Sequence, residues 1–160
     1  MQTVKLTITL AVVGVVLSGC AQFQKKETVS LRIHEQVTSG LPPENAMPVE
    51  VPTSRLKLTI SPFPILTEKD VLSASLYDTA GGKAIYLRFN PHGTFILDEA
   101  TTRNRAKYLV SFLNNRPVAA WLVNQRILNG QFLIEGDFSD EEAQKAVEAL
   151  NKLAKAANRE

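Results

Sequence analysis

One cysteine, two histidines and one tryptophan are all that 160 residues contain of these side chains. A single thiol, Cys20, permits no internal disulfide, so the fold must be held by packing alone. Two histidines, His34 and His92, with no cysteine pair provide no ligand set of the usual count for structural zinc, and no metal or other cofactor is expected. An excess of one charge is missing too. Eighteen basic residues against 16 acidic ones give a net charge of +2. A nucleic-acid binder carries a clustered, strongly basic footprint, so nucleic acid is not expected as a partner. No apolar run reaches the ~20 residues that a membrane-spanning helix needs. Internal repeats and low-complexity tracts are absent.

The longest apolar stretch stands at the start, in MQTVKLTITLAVVGVVLSGC. Lys5 is its only charge, and from Leu6 to Leu17 every residue is apolar, Thr or Gly. A basic start, an apolar core of that length and small residues at the end form the layout of a secretory signal peptide. An ordinary signal would end on an A-x-A-like site. Leu17-Ser18-Gly19-Cys20 instead resembles the bacterial lipoprotein box. The resemblance implies cleavage between Gly19 and Cys20 and a lipid on the Cys20 thiol, a nucleophile suited to such an attachment. A buried lipid CH₂ contributes ~0.8 kcal/mol, and one chain alone anchors only marginally. The three chains of a bacterial lipoprotein would hold firmly. Ala21, in place of a retention-type Asp, favours the outer membrane where the host has two. The partner expected from this end is a membrane, held through an N-terminal lipid anchor. Removing residues 1–19 leaves 141 of the 160 and lowers the net charge from +2 to +1. That length suffices for one domain with its own core.

Residues 20–28, CAQFQKKET, read as a tether. Val29, Leu31, Ile33 and Val37 then alternate with Ser30, Arg32, His34 and Gln36, which predicts a half-buried strand with His34 on its polar face. SGLPPENAMP reads as a loop, and RLKLTI as a second strand. Thr67 is a candidate N-cap of a short helix containing Glu68 and Asp70. VLSASLY and KAIYLRF read as strands around a Gly81-Gly82 turn. Asn90-Pro91 starts a helix that should run to about Arg103. KYLVSFL and PVAAWLV form a hairpin across Asn114-Asn115-Arg116, because Asn tolerates positive φ. Asn129-Gly130 is a further turn before QFLIEGDF. In the last helix Ser139 and Glu142 suggest a capping box. Ala143, Ala146, Val147, Leu150, Leu153, Ala154 and Ala157 make one apolar stripe, and Glu141–Lys145 and Glu148–Lys152 are pairs four apart. The order strand, helix, hairpin, strand, helix is a split β-α-β pattern.

LTEKDVLSA, YLRFNPHGTFILDEATTRNRAKYLVSFLNNRPVAAWLVNQRILNGQ and GDFSDEEAQKAVEAL, within residues 64–157, resemble the head subdomain of the first periplasmic domain of SecD and SecDF. The pieces that carry it are Leu66-Thr67 with Asp70, Asn90 with Gly93, Leu109–Leu113 with its hairpin, and Gly136–Ser139 leading into Glu141–Gln144. The resemblance implies an α+β fold. It would be a ferredoxin-like sandwich of mostly antiparallel sheet with helices on one face, here with extra N-terminal strands. It also implies a habit of touching exported polypeptide, and no catalytic residues. Three positions depart from the family pattern. Ala106 stands for a usual Gly, Asn114-Asn115 for Asp-Gly, and Trp121 for Pro. The family couples proton flow to movement through transmembrane helices, and no such run follows residue 20 here, so that activity is not carried over. The expected organisation is a signal peptide at 1–19, a tether at 20–28, N-terminal strands and a Pro-rich loop at 29–63, and the SecD-head-like domain at 64–157.

Neither histidine lies in a recognisable catalytic motif, since a nucleophile and an orienting acid are needed nearby. Glu135, Asp137, Asp140, Glu141 and Glu142 cluster, but their spacing matches no EF-type calcium loop. They read as charge at a helix start. Trp121 has two readings. It packs in the core, or, if its face is bare, it marks a partner surface. A non-catalytic, lipid-anchored module that binds a protein or peptide is therefore expected. The competing expectations are a structural accessory subunit of a membrane assembly and an unrecognised hydrolase joining a histidine to a Ser and an acid.

Overall fold

The structure, a computed structural model, describes residues 29–38 and 42–157. The expected signal peptide, the Gly19–Cys20 cleavage point, the lipid site Cys20 and the tether lie outside the described residues. The chain runs through β1 (Leu31–Glu35), β2 (Met47–Val51), β3 (Leu56–Ile60), β4 (Leu66–Thr67), β5 (Val71–Thr79) and β6 (Gly82–Phe89). Then come α1 (Pro91–Arg103), β7 (Tyr108–Leu113), β8 (Arg116–Leu122), β9 (Gln131–Ile134) and α2 (Asp140–Ala157). This is the mixed α+β architecture expected, with antiparallel pairing throughout the described strands. The strands are divided among three sheets, β4-β1-β7-β8, β5-β6-β9 and the hairpin β2-β3. β1 is not a peripheral addition, since it lies between β4 and β7.

The main core joins both larger sheets to both helices. Leu31, Ile33, Ile85, Leu87, Leu97, Leu109, Leu113, Ile134 and Leu150 are all fully buried in it. A second, smaller core lies behind the four-stranded sheet. There Val51 and Ile60 of the β2-β3 hairpin pack on Val110 and Phe112 of β7. β7 is thus covered on both faces, which explains why YLVSFL shows no polar alternation.

Some local elements are close to the expectation. Asn90 Oδ1 accepts the Gly93 N–H at 2.8 Å, with Pro91 at the first helical position of α1. Any Cβ on Gly93 would lie 2.9 Å from the Asp70 Cβ, so a larger residue there pushes the helix off its neighbour. Asn114 and Asn115 both have positive φ, 50° and 64°, the backbone of a two-residue type I′ turn. Ala106, where the family pattern has Gly, has φ 61°. It occupies the left-handed region that costs an L-residue roughly 1–2 kcal/mol.

Other elements correct the sequence reading. β2 begins at Met47, inside what reads as a loop. Pro48 argues against a strand there, since it has no N–H to donate. The Thr59 carbonyl accepts from Val37 N–H at 2.9 Å, so Thr59 and its partner Pro48 turn their backbone groups away from each other. The missing N–H of Pro48 therefore falls on the free edge of β2. His34 is not on a polar face, because the β2-β3 hairpin covers that side and leaves it 4 % exposed. The Ser139–Glu142 box closes on one side only. Ser139 Oγ accepts the Glu142 N–H at 3.2 Å, while the Glu142 carboxylate is held by Arg116 at 2.8 and 2.9 Å. The reciprocal box stands instead at the 3-10 turn Glu68–Asp70, where Thr67 N–H donates to Asp70 Oδ2 at 2.8 Å. Glu148 accepts from the Gln144 amide at 2.6 Å, in place of the expected Lys152.

Candidate functional site

β8 and β9 are joined by residues 123–130. Beyond the C-terminal end of β9, the Asp137 N–H donates to the Val118 carbonyl, near the start of β8, at 2.9 Å. Between that closure and the connecting loop lies an open groove of about 530 Å³. Trp121 of β8, Gln125 to Asn129 of the loop, Gln131, Phe132 and Leu133 of β9, Glu135 and Tyr86 of β6 line it. The loop is fastened to α1. Arg126 is ion-paired with Asp98, its Nη2 2.9 Å from Oδ2, and the Ile127 N–H donates to Thr101 Oγ1 at 3.0 Å. Gly130 has φ 64°, and a Cβ there would meet Thr94 Oγ1 at 2.1 Å. The Asn129-Gly130 turn is thereby pressed against α1, and β9 starts at a defined place.

Trp121 packs on the core and keeps part of its face uncovered. It is half-buried against the main core, edge-on to Phe132 with ring centroids 5.7 Å apart, and it also lines the groove. A bulge in the β7-β8 pairing between Ser111 and Phe112 moves Val118 to the main-core side, with Ala119, Trp121 and Val123. The β2-β3 hairpin packs on the opposite face, in the cluster that takes in Ala120, and leaves the groove open. Leu128 stands 64 % exposed at the rim, so the groove presents apolar surface. The sequence signals the Asn129-Gly130 turn and Trp121. It does not signal that Tyr86, Leu133 and Glu135 would join them, because that depends on the β6-β9 register.

The histidines go to different places. His34 Nδ1 lies 2.8 Å from the Ser61 carbonyl, and its ring rests on Phe112 with centroids 5.0 Å apart. Burial holds its pKa below the ordinary value, against the opposing pull of the Ser61 carbonyl, with nearby Arg32 adding to the depression. His92 is exposed at the start of α1, with Nδ1 2.9 Å from Asp70 Oδ1. Thr67 Oγ1 also contacts Asp70, at 3.2 Å. An activated nucleophile needs its hydroxyl on the base, with the acid behind the base. Here both side chains converge on the acid, which is the wiring of a turn cap.

The acidic cluster disperses into separate ties. Asp137 and Glu142 hold Arg116, Glu141 holds Lys145, and Asp140 Oδ1 accepts the Lys83 N–H at 3.4 Å. The Lys145 ammonium keeps the Glu141 carboxyl below the usual carboxylate range. No group of three metal-ligating side chains occurs among the described residues. No described helix is long and apolar enough to cross a membrane.

Comparison with known proteins places this arrangement. The chain is 37% identical over 81 residues to the protein translocase subunit SecDF of Thermus thermophilus, a match covering 50% of this chain and 11% of that protein. It is 32% identical over 82 residues to the protein translocase subunit SecD of Rickettsia bellii, covering 51% of this chain and 15% of that protein. Among solved structures, a membrane component SecDF that enhances protein export superposes with a TM-score of 0.57 at 25% identity, over 78% of this chain and 62% of the other. SecDF in a super-membrane-facing form gives a TM-score of 0.56 at 26% identity, over 77% and 18%. The family model of the SecDF P1 head subdomain matches residues 45–154, and the chain belongs to that family.

Proposed function

We propose that this protein is a lipid-anchored, non-catalytic module that binds polypeptide at the Trp121 groove, in association with protein export. The observation that carries the reading is the groove itself. It joins a half-buried tryptophan, an exposed leucine and a strand edge on a scaffold pinned to α1. Half-buried aromatics beside exposed apolar side chains are the usual makings of a protein-binding surface. The relatives are export components by name, and a head subdomain that meets translocating chains fits them. The anchor is proposed from Leu17-Ser18-Gly19-Cys20, with the mature chain starting at Cys20 and held at the membrane by its lipid. The domain proper is proposed to follow the tether that ends at residue 28.

Two experiments test these parts separately. A photo-reactive side chain at position 121 or 129, in cells, is expected to crosslink to polypeptides in transit. Recovery of lipid and self-adducts alone removes client binding. Cys20→Ser is expected to block processing and release the protein from the membrane fraction. Unchanged processing and fractionation refute the anchor.

A further inference from the structure

Hydrogen-bond alternation shows which sheet edges are open. The Phe89 N–H donates to the Gly130 carbonyl at 2.9 Å, in register with the pairs Leu87–Phe132 and Ile85–Ile134. These pairs exchange hydrogen bonds. The residues between them, Gln131 and Leu133, therefore aim their N–H and C=O away from β6. One contact agrees with this directly, since the Gln131 N–H is taken by Asn129 Oδ1 at 3.1 Å.

The same alternation turns Ala74 outward on the opposite edge, along β5. There both groups are occupied. The Ala74 N–H donates to Asn151 Oδ1 at 2.9 Å, and Asn151 Nδ2 donates to the Ala74 carbonyl at 2.8 Å. Other edges are blunted differently. β2 carries Pro48, β4 has two residues, and the Val118 carbonyl of β8 accepts from Asp137. By the same alternation Leu76 and Asp78 of β5 and Ala120 and Leu122 of β8 also turn outward with no described partner, and Leu133 is set apart by its place in the groove. No described group bonds its outward N–H or C=O, and the residue lines the groove.

Two charged residues line that groove, Arg126 and Glu135. Arg126 is neutralised by Asp98. Glu135 has no ion pair or hydrogen bond among the described residues. The uncompensated charge of the groove is therefore negative.

We infer that the free edge of β9 takes up an extended polypeptide segment as an added strand, and that it prefers basic over acidic segments. The inference rests on the groove being the peptide site and adds the manner of binding and its charge preference. Strand addition draws affinity from main-chain groups that every chain repeats at about 6.4–6.8 Å, two residues apart. It therefore suits clients with no common sequence. Alternate side chains of the added strand would lie on Trp121 and Leu128.

The test uses the full-length chain in detergent and two short unstructured peptides, one alternating Val and Lys, the other Val and Glu. Amide hydrogen exchange is followed by NMR. The Leu133 amide is expected to slow at least about tenfold on saturation with the Val/Lys peptide. Phe132 and Ile134, already in the ladder, should change little. The Val/Lys peptide should bind about two- to fivefold more tightly than Val/Glu, and Glu135→Gln should abolish the difference. Movement of the Trp121 indole resonance with an unchanged Leu133 amide overturns strand addition and leaves peptide binding standing. An indole resonance unmoved by either peptide overturns peptide binding and the inference with it. A slow Leu133 amide without peptide, in a protein that sediments as a dimer, means the edge pairs with a second copy and also overturns the inference.

Discussion

The two edges of the β5-β6-β9 sheet differ most at Ala74 and Leu133. Along β5, α2 lies over the edge, and one amide side chain, Asn151, occupies both outward groups of Ala74. Along β9, the equivalent groups of Leu133 face a groove. An unpaired edge is a template for another strand, and folded proteins usually cover it. This fold does so on β5 with a side chain 77 residues distant in sequence. The guard is confined to Ala74, since the outward groups of Leu76 and Asp78 further along β5 have no described partner, so what sets Leu133 apart is the groove it faces.

The largest expected effect comes from loosening the element that guards β5. Leu150→Ala in α2 empties a fully buried site and should cost about 3 kcal/mol in urea unfolding. It should weaken the guarded edge and leave β9 as open as before. Next is the guard itself. Asn151→Ala strips two hydrogen bonds from a part-buried backbone and should cost about 2 kcal/mol. Exchange at Ala74 should then become fast, like that expected at Leu133. If Ala74 stays protected and stability barely moves, the contrast between the edges is wrong.

Two smaller changes should leave both edges alone. Ala106→Gly relieves the left-handed backbone at φ 61° beside the end of β8, where the Ala106 N–H donates to the Val123 carbonyl at 3.0 Å. Relief of that strain, less the extra freedom of an unfolded glycine, should stabilise by up to about 1 kcal/mol, visible as a raised Tm. His34 provides a pH test of the second core. Its folded pKa is depressed by burial. The unfolded chain therefore takes up the proton first as pH falls. Stability should be complete above about pH 6.5, where a free imidazole titrates, and should decline from there down towards the folded pKa. His34→Gln should flatten that part of the profile measured by urea unfolding, with no change in peptide binding.

Much of the fold was legible because it is local. The Asn114-Asn115 turn, the Asn90-Pro91 start of α1 and the apolar stripe of α2 depend on residues a few positions apart. β2 was not legible, because Pro48 counts against a strand until its place on a free edge is known. His34 was misplaced because alternation marks two faces and cannot say that a hairpin will cover the polar one. The candidate site was half visible. Trp121 and Asn129-Gly130 announce themselves as residue types, whereas Glu135 and Leu133 are unremarkable until β9 pairs with β6.

By itself, the sequence determined the helices, the tight turns, most strands and the family, because each depends on short-range spacing or on residues in a recognisable order. Tertiary structure alone decided which sheet each strand joins, that His34 is enclosed, and that Leu133 of β9 turns its N–H and C=O outward into the groove that Trp121 lines. These depend on pairing between segments far apart in the chain, where a shift of one residue turns every backbone group and side chain to the other side.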